Sequence, residues 1–363
     1  MRILLYSSII ILVTLIQSYC NYNETFTIIS WNWRPWEDFG YCQKYNCLFT
    51  KDRKLLHRAD AVLFNDYYFS NEKYGKNIIK RPKNTTLFVN VLSESIRRLH
   101  IKRSSNKIKY PKNYFNLTLS YLPYADINLN NVNTQWVMDN ITNERVKEID
   151  EEIGKTFEKK SMKVLWLVSN CRTPSGRENA VRYLKKYIKI HQFGKCSKSK
   201  VLLNETEAKE LFEKYYFYIA SENTDCRHYI TEKFFGRLPY FSIPIVNCRK
   251  IYEEHAPTSS FIAMDDFKSP FQLAYYLKYL IENKGEYLKY FNYKKQGWRQ
   301  QIIPTGRCHY CNELIKFNLS KKKKTYFDIT NWLKKANKCL VDNYVSKLWK
   351  MKVMSSDKVF HAR

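Results

Sequence analysis

Two stretches of this 363-residue chain place charged side chains where they could do chemistry. Residues 218–235 read YIASENTDCRHYITEKFF, with Glu232 and Lys233 adjacent where a polar loop gives way to a helical pattern. Residues 163–188 read KVLWLVSNCRTPSGRENAVRYLKKYI, with Arg177 at a helix start. A helix start carries unpaired N–H groups and a partial positive charge, so a cation there is repelled unless an anion fills the spot. In an open parallel sheet, ligands sit beyond the carboxyl ends of the strands. Both cations follow such strand ends, which points to one shared crevice. A bidentate arginine, a lysine point charge and helix N–H groups would suit a nucleotide diphosphate. Neither G-x-G-x-x-G nor G-x-x-x-x-G-K-[ST] occurs, which sets aside the usual dinucleotide and P-loop modes. The plainer alternative is a pair of solvated surface cations.

The elements that must position these residues read as alternating strands and helices. Residues 25–31, 59–66, 85–95 and 114–123 carry β-type patterns in the first half, with a cysteine-containing loop region between the first two. The charged run 143–160 is helix-compatible and is expected to bridge two domains. In the second half, 163–169 is a near-continuous apolar run, the mark of a buried parallel strand. A helix is expected at 177–188, strands at 189–194, 216–221 and 243–247, and a helix at 207–215. A further helix is expected to begin at 231, and an amphipathic one to run over 270–291. The aromatic stripe of that last helix is read as core. Strand–helix alternation argues for a parallel α/β sheet, and the length favours two domains over one.

Composition bounds the class. Hydrophobic residues make up 44% and aromatic residues 16%, so the chain can bury a core. The formal net charge of +28 admits a nucleic-acid partner, but the lysines are spread widely, with their densest cluster at 321–324 and in the tail. An anionic small substrate accounts for the excess equally well, and no nucleic-acid partner is assigned. Residues 3–23 are uncharged and follow Arg2. They read as a signal anchor with Arg2 cytoplasmic, or as a cleaved signal peptide with Ser18 and Cys20 near the cut. Both place the remainder in the secretory lumen. Six N-x-[ST] acceptors, at Asn23, Asn84, Asn116, Asn140, Asn204 and Asn318, and ten cysteines agree with that. Cys42/Cys47 and Cys308/Cys311 are candidates for local disulfides, since CHYC at 308–311 has no second C-x-x-C to complete a zinc site. Cys171 and Cys226 flank the two charged loops and either pair or stay free. Cys248 is buried or bridged.

Residues 163–297 resemble the α-1,3-fucosyltransferase family, glycosyltransferase family 10. WLVSNCRTPSGRENAVRYLKKYIKIHQFGKC is similar to the family's SNC…S.RE..V..L..YI.V..YG.C stretch, and YIASENTDCRHYITEKFF to its ENS.C.DYITEK motif. IPIVNCRKIYEEHAPTSSFIAMDDFKSPFQLAYYLKYL is similar to VPVV…NYE…P..SFI.V.DF.SP..LA.YL, and weaker echoes extend the likeness to about 85–315. The resemblance implies a GT-B-like α/β fold, with two Rossmann-like domains facing a central cleft. It divides the chain into 1–23, an acceptor domain at 24–150, a GDP-fucose domain at 151–315 and a basic tail at 316–363.

By the same resemblance, Arg177 and Lys233 bind the GDP diphosphate and Glu232 bonds donor hydroxyls. Asn170 and Asn223 shape the donor loops, Tyr252 lies near the guanosine, and Glu94 is the general base. It implies inverting transfer of L-fucose from GDP-β-L-fucose to O3 of a GlcNAc residue in N-acetyllactosamine-type or N-glycan acceptors. No cofactor is required, and divalent-metal stimulation is compatible with the chemistry. Metal ligands are not assigned, because the DDF at 265–267 falls in a structural match. The implied setting is the Golgi membrane, as a single-pass type II protein with a lumenal catalytic domain. The alternative is secretion after signal cleavage, since the first strand follows the apolar run within a few residues where the family has a long stem. Three departures stand out. Ile96 replaces the proline after ES, His228 occupies the place of the usual Asp, and VNC at 246–248 replaces VLG. The first two motivate an alternative, a catalytically impaired glycan-binding homologue.

Overall fold

In the computed structural model, residues 24–32, 37–66, 78–95, 97, 110–128, 134–197, 205–302, 306–336 and 338–350 are described. The apolar leader at 1–23, Ile96, and the acceptors Asn23 and Asn204 lie outside them. Among the described residues no helix is long and apolar enough to cross a membrane. The chain forms two units, one of residues 1–130 with 304–336, the other of 131–303 with 337–363. The expected boundary at 150 therefore falls at 130. The charged helix Asn143–Glu158 is part of the second unit, and the segment expected as a tail is divided between both.

The first unit is built on a seven-stranded sheet of order β2-β3-β1-β4-β5-β6-β7. Its strands are β1 (Phe26–Ser30), β2 (Gly40–Cys42), β3 (Cys47–Thr50), β4 (Ala61–Asn65), β5 (Leu87–Leu92), β6 (Leu117–Ser120) and β7 (Ile127–Asn128). All pairings are parallel except β2 with β3. β1, β4, β5 and β6 are buried at every position, which is why they read as apolar runs without strict alternation. β2 and β3 escaped the sequence reading because they are short and lie inside the cysteine loop.

Helix Arg307–Leu319 packs Tyr310, Cys311, Leu314 and Ile315 against Phe26, Ile28 and Phe49 of that sheet. This corrects the expected local disulfides. Cys42 and Cys47 sit opposite each other across β2 and β3, yet each bonds to the helix, as Cys42–Cys308 and Cys47–Cys311. Cys308 and Cys311 are three residues apart and so share one helix face, which meets the two strand cysteines together. The basic run near 321–324 is partly structural as well. Lys324 pairs with Asp126, and Tyr326 donates to the same carboxylate at 2.8 Å.

The second unit opens on β8 (Thr134–Met138) and helix Asn143–Glu158, capped by Thr142 Oγ1. Its sheet runs β10-β9-β11-β12-β13, all parallel. The strands are β9 (Met162–Leu167), β10 (Ile190–Phe193), β11 (Tyr215–Ile219), β12 (Ile243–Val246) and β13 (Ile262–Ala263). β14 (Trp298–Ile302) returns to pair antiparallel with β8. Helices Arg177–Leu184 and Pro270–Glu282 cover one face through Ala180, Val181, Leu184, Leu273 and Leu277. The expected helix over 270–291 breaks at Asn283, whose φ of −118° and ψ of 83° leave the helical region, and restarts at Lys284–Leu288. The helix expected from 231 is instead a set of turns leading into the 3₁₀ helix Phe235–Tyr240, with Pro239 inside it. Proline removes a donor that an α-helix would need there.

The double variant Cys47→Ala/Cys311→Ala is expected to lose about 2–5 kcal/mol of stability, read from denaturant unfolding of the oxidised protein. Non-reducing peptide mapping is expected to link the Cys42 peptide to the Cys308 peptide. Recovery of a Cys42–Cys47 bridge would contradict this architecture.

Candidate functional site

β9 and β11 lie side by side, with Val164 opposite Phe217 and Leu165 opposite Tyr218. The loops that follow them therefore leave the sheet at one edge. The first loop turns at Gly176, whose φ of +63° suits glycine, and a Cβ there would meet Asn343 Oδ1 at 2.1 Å. Arg177 follows and turns inward, 3% exposed. It donates to the carbonyl of Ser221 at 2.7 Å and to that of Asn170 at 3.2 Å, so one guanidinium ties the ends of both strands together. Its Nε has no hydrogen-bond partner and lies 3.9 Å from the Glu178 carboxylate. Burial pulls the guanidinium's pKa down, while Glu222 and Glu178 push it back. Arginine stays charged, and its guanidinium is held by two carbonyl dipoles and favoured by the neighbouring carboxylates.

The loop after β11 is packed inside from Ala220 to Cys226 and again at Tyr229–Thr231. Buried backbone must find partners. Ser175 N donates to Asn223 O at 3.1 Å, and Ser175 Oγ to Glu222 O at 2.8 Å. Arg227 N donates to Lys338 O and Leu340 N to Asp225 O, both at 2.8 Å, beside the disulfide Cys226–Cys339. Cys171 bonds to Cys196, so the two loop cysteines do not pair with each other. Cys248 is a buried free thiol.

The centre of this loop is Glu222, a residue the sequence reading left unassigned. Its carboxylate is buried and accepts from Thr231 N at 2.8 Å and Thr231 Oγ1 at 2.7 Å. Lys233 Nζ lies 3.0 Å from its other oxygen, 2.7 Å from Thr231 Oγ1 and 3.3 Å from Glu232. Burial raises the Glu222 pKa, with Lys233 opposing. Burial also works against the Lys233 ammonium, but Glu222 and then Glu232 outweigh it and raise its pKa. Arg177 and Lys233 are close enough to repel each other, and both are attracted to Glu222. Lys233 thus meets the Glu222 carboxylate and Arg177 the carbonyl of the residue before it, both at the end of β11.

Asp225 lies beneath, 6% exposed, taking both N–H bonds it has from Asn247 Nδ2 at 3.0 and 3.1 Å. Burial pushes its carboxyl up to about 7. Asn223 contributes its carbonyl to Ser175 and is 4% exposed, whereas Asn170 is exposed and contributes a carbonyl to Arg177. Tyr252 is inside the core against Phe234 and Phe261, its hydroxyl 3.5 Å from Ala220 O, so it supports the loop from below. Glu94 stands half-buried on the bend after β5, in the other unit. Asp265 and Asp266 hold Arg249, which accounts for the DDF motif.

Glu232 also forms part of the wall of a pocket of about 430 Å³ with Trp136, Phe235, Tyr293, Trp298 and Gln300. The rings of Trp136 and Tyr293 meet edge to face at 5.5 Å. Trp136 Nε1 and Gln300 Nε2 are buried donors without partners among the described residues. Flat apolar faces with two unused donors suit a sugar ring. Of the acceptor asparagines, Asn84 and Asn140 are exposed. Asn116 accepts from Phe88 N at 2.9 Å and Arg81 at 2.6 Å and donates to Lys324 O at 3.1 Å, so its amide is structural. Asn318 is half-buried.

Comparison with known proteins adds the family. Residues 157–332 match the model described as glycosyltransferase family 10 (fucosyltransferase) C-term, and residues 23–131 match fucosyltransferase, N-terminal. A glycoprotein 3-alpha-L-fucosyltransferase A of Drosophila melanogaster is 30% identical over 320 residues, covering 85% of this chain and 59% of that protein. An alpha-(1,3)-fucosyltransferase of Caenorhabditis elegans is 29% identical, covering 78% and 64%. This chain therefore spans under two thirds of the length of those two relatives. A 4-galactosyl-N-acetylglucosaminide 3-alpha-L-fucosyltransferase 9 of Mus musculus is 31% identical, covering 76% and 72%. A crystal structure of an alpha1,3-fucosyltransferase with GDP is similar in fold, with a TM-score of 0.50 and 15% identity over 85% of this chain and 94% of that one.

The Asp225 shift sets a pH dependence. Its carboxyl rises from 3.8 to about 7 on folding, so between those values the folded chain holds a proton the unfolded chain has released. The stability it contributes is present at low pH and lost as pH rises through about 7. Asp225→Asn is expected to flatten the fall in denaturation midpoint between pH 4 and 7. A slope identical to that of the parent would exclude this origin.

Proposed function

The chain belongs to glycosyltransferase family 10, and on that premise we propose that it is a fucosyltransferase using GDP-fucose as donor and a glycan as acceptor. The observation that carries this reading is that Arg177, on the Ser221 carbonyl, and Lys233, on the Glu222 carboxylate, gather at the carboxyl end of β11. A fork-shaped guanidinium and an ammonium point charge placed at one strand end suit the diphosphate of a nucleotide sugar. Glu232 spans from Lys233 to the aromatic pocket, so a pyranose in that pocket would adjoin the phosphates.

The finer proposal is an inverting single displacement onto O3 of a GlcNAc residue in N-acetyllactosamine-type or N-glycan acceptors. The bond from fucose C1 to the β-phosphate oxygen breaks, and its electron pair stays on GDP. A bond forms between C1 and the acceptor oxygen, and the acceptor proton passes to a carboxylate, which we assign to Glu94. The transition state is oxocarbenium-like, and charge grows on the leaving phosphate as the bond stretches. Arg177, fixed by two carbonyls, and Lys233, fixed by Glu222 and Thr231, are in place before that charge develops. As proposed, the reaction routes no step through a metal, and a divalent ion would act only as a stimulant. His228 does not oppose this reading, since its ring engages His255 and Glu254 rather than the two cations.

The setting proposed is the Golgi lumen, with residues 3–23 as a type II signal anchor. The four disulfides among the described residues support an oxidising compartment.

Incubating the purified chain with radiolabelled GDP-fucose and N-acetyllactosamine is expected to give an α-1,3-fucosylated product. Lys233→Ala should weaken GDP binding and lower kcat/KM on the order of 10²-fold. Glu94→Gln should lower kcat on the order of 10²–10⁴-fold while GDP affinity holds. Unchanged GDP affinity in Lys233→Ala would defeat the phosphate assignment. Glycan binding without any product would favour a non-catalytic homologue.

A further inference from the structure

The described residues hold a second cluster of chemistry-bearing side chains, on the outer side of the same loop. His228 Nδ1 lies 2.8 Å from His255 Nε2 and 3.7 Å from Glu254 Oε2, and all three atoms lie within 4.8 Å of one another. The rings stand nearly perpendicular, at 87°. We propose that His228, His255 and Glu254 form a binding site for a borderline divalent transition-metal ion of the zinc class, clamping the 222–231 loop to the turn after helix Arg249–Tyr252. This site stands apart from the donor reading.

Ligand type selects the ion. Two imidazole nitrogens and one carboxylate oxygen suit zinc, cobalt, nickel or copper, whereas magnesium and calcium want oxygen throughout. With metal–ligand distances of about 2.0–2.2 Å, tetrahedral ligand atoms sit about 3.3 Å apart. The observed 2.8 and 3.7 Å straddle that spacing, so side-chain shifts of a few tenths of an ångström open the cradle. Glu254 is on the exposed side, which leaves a fourth position for water.

The imidazole–imidazole hydrogen bond already requires at least one neutral ring. Binding replaces it through a change of tautomer, in which the facing N–H proton moves to the ring's other nitrogen. Each ring in its neutral form offers one nitrogen lone pair, His228 through Nδ1 and His255 through Nε2. His228 is held at φ +65°, a region disfavoured for a residue with a Cβ, by a loop pinned through Cys226–Cys339 and the bond from Arg227 N to Lys338 O. Arg227 Nε lies 3.0 Å from Glu254 Oε2. It orients the carboxylate and also repels a cation, so it tempers affinity without closing the site.

The test uses the full, untagged chain, stripped with a chelator and titrated calorimetrically with zinc. Cobalt serves as a spectroscopic reporter through its visible d–d bands, and magnesium as the control. Zinc is expected to bind, to raise the thermal midpoint and to displace cobalt, while magnesium does none of these. His228→Asn, which tolerates the left-handed backbone, and His255→Gln should each abolish the cobalt bands and the zinc-dependent thermal shift. Arg227→Gln should tighten zinc binding. If folded His228→Asn and His255→Gln retain the parent's zinc affinity and thermal shift, the ion binds elsewhere and the proposal fails. Absence of zinc binding in the parent chain also defeats it. Since no nucleotide is present, neither outcome bears on fucosyl transfer.

Discussion

Three charges at the end of one strand organise the second unit. Glu222 is buried at the close of β11, Lys233 reaches it from the far end of the same loop, and Arg177 reaches the neighbouring carbonyl of Ser221 from the loop after β9. A buried carboxylate is costly unless it is paired and hydrogen-bonded. Thr231 gives Glu222 two hydrogen bonds and Lys233 gives it a counter-ion, so the loop folds back upon itself around that one group. The lysine is thereby held rigidly even though the segment carrying it is a turn and not an α-helix.

The surrounding structure supports that pairing by supplying partners to the loop backbone. Residues 338–340 run beside the loop and supply one acceptor and one donor, and Cys339 is joined to Cys226. Asn247, at the end of β12, holds Asp225 from beneath, and Tyr252 fills the space under Ala220. A loop this buried gives up the mobility usual for surface connections. What it gains is preorganisation, since groups that meet developing charge are most effective when no reorganisation is left to do.

The same loop faces two ways. Its inner side presents Glu222 and Lys233, while its outer side presents His228 against His255 and Glu254. Fixing the outer side would stiffen the segment that holds the cations without touching them. The aromatic pocket beside Glu232 adds apolar ring faces and two unused donors, Trp136 and Gln300, contributed by β8 and β14. These strands lie far apart in the chain and meet only through their antiparallel pairing.

Much of this was legible in the residues. The buried parallel strands announced themselves as apolar runs, because a strand covered on both faces has no polar side to alternate. The motif density around Arg177 and Lys233 carried the family, and the strand-end rule directed attention to both cations. Glu222 stood in plain view inside the YIASENTDCRHYITEKFF stretch, but no local pattern marks an acid as buried. Its importance depends on Thr231 and Lys233 folding back on it. Disulfide partners were also hidden, since Cys42 and Cys47 find Cys308 and Cys311 across more than 260 residues of chain. Local periodicity and propensity determine which segments become strands and helices. Which buried charge meets which cation, and which cysteine meets which, is decided only when distant segments pack, because those energies depend on distance and desolvation that exist only in the folded chain.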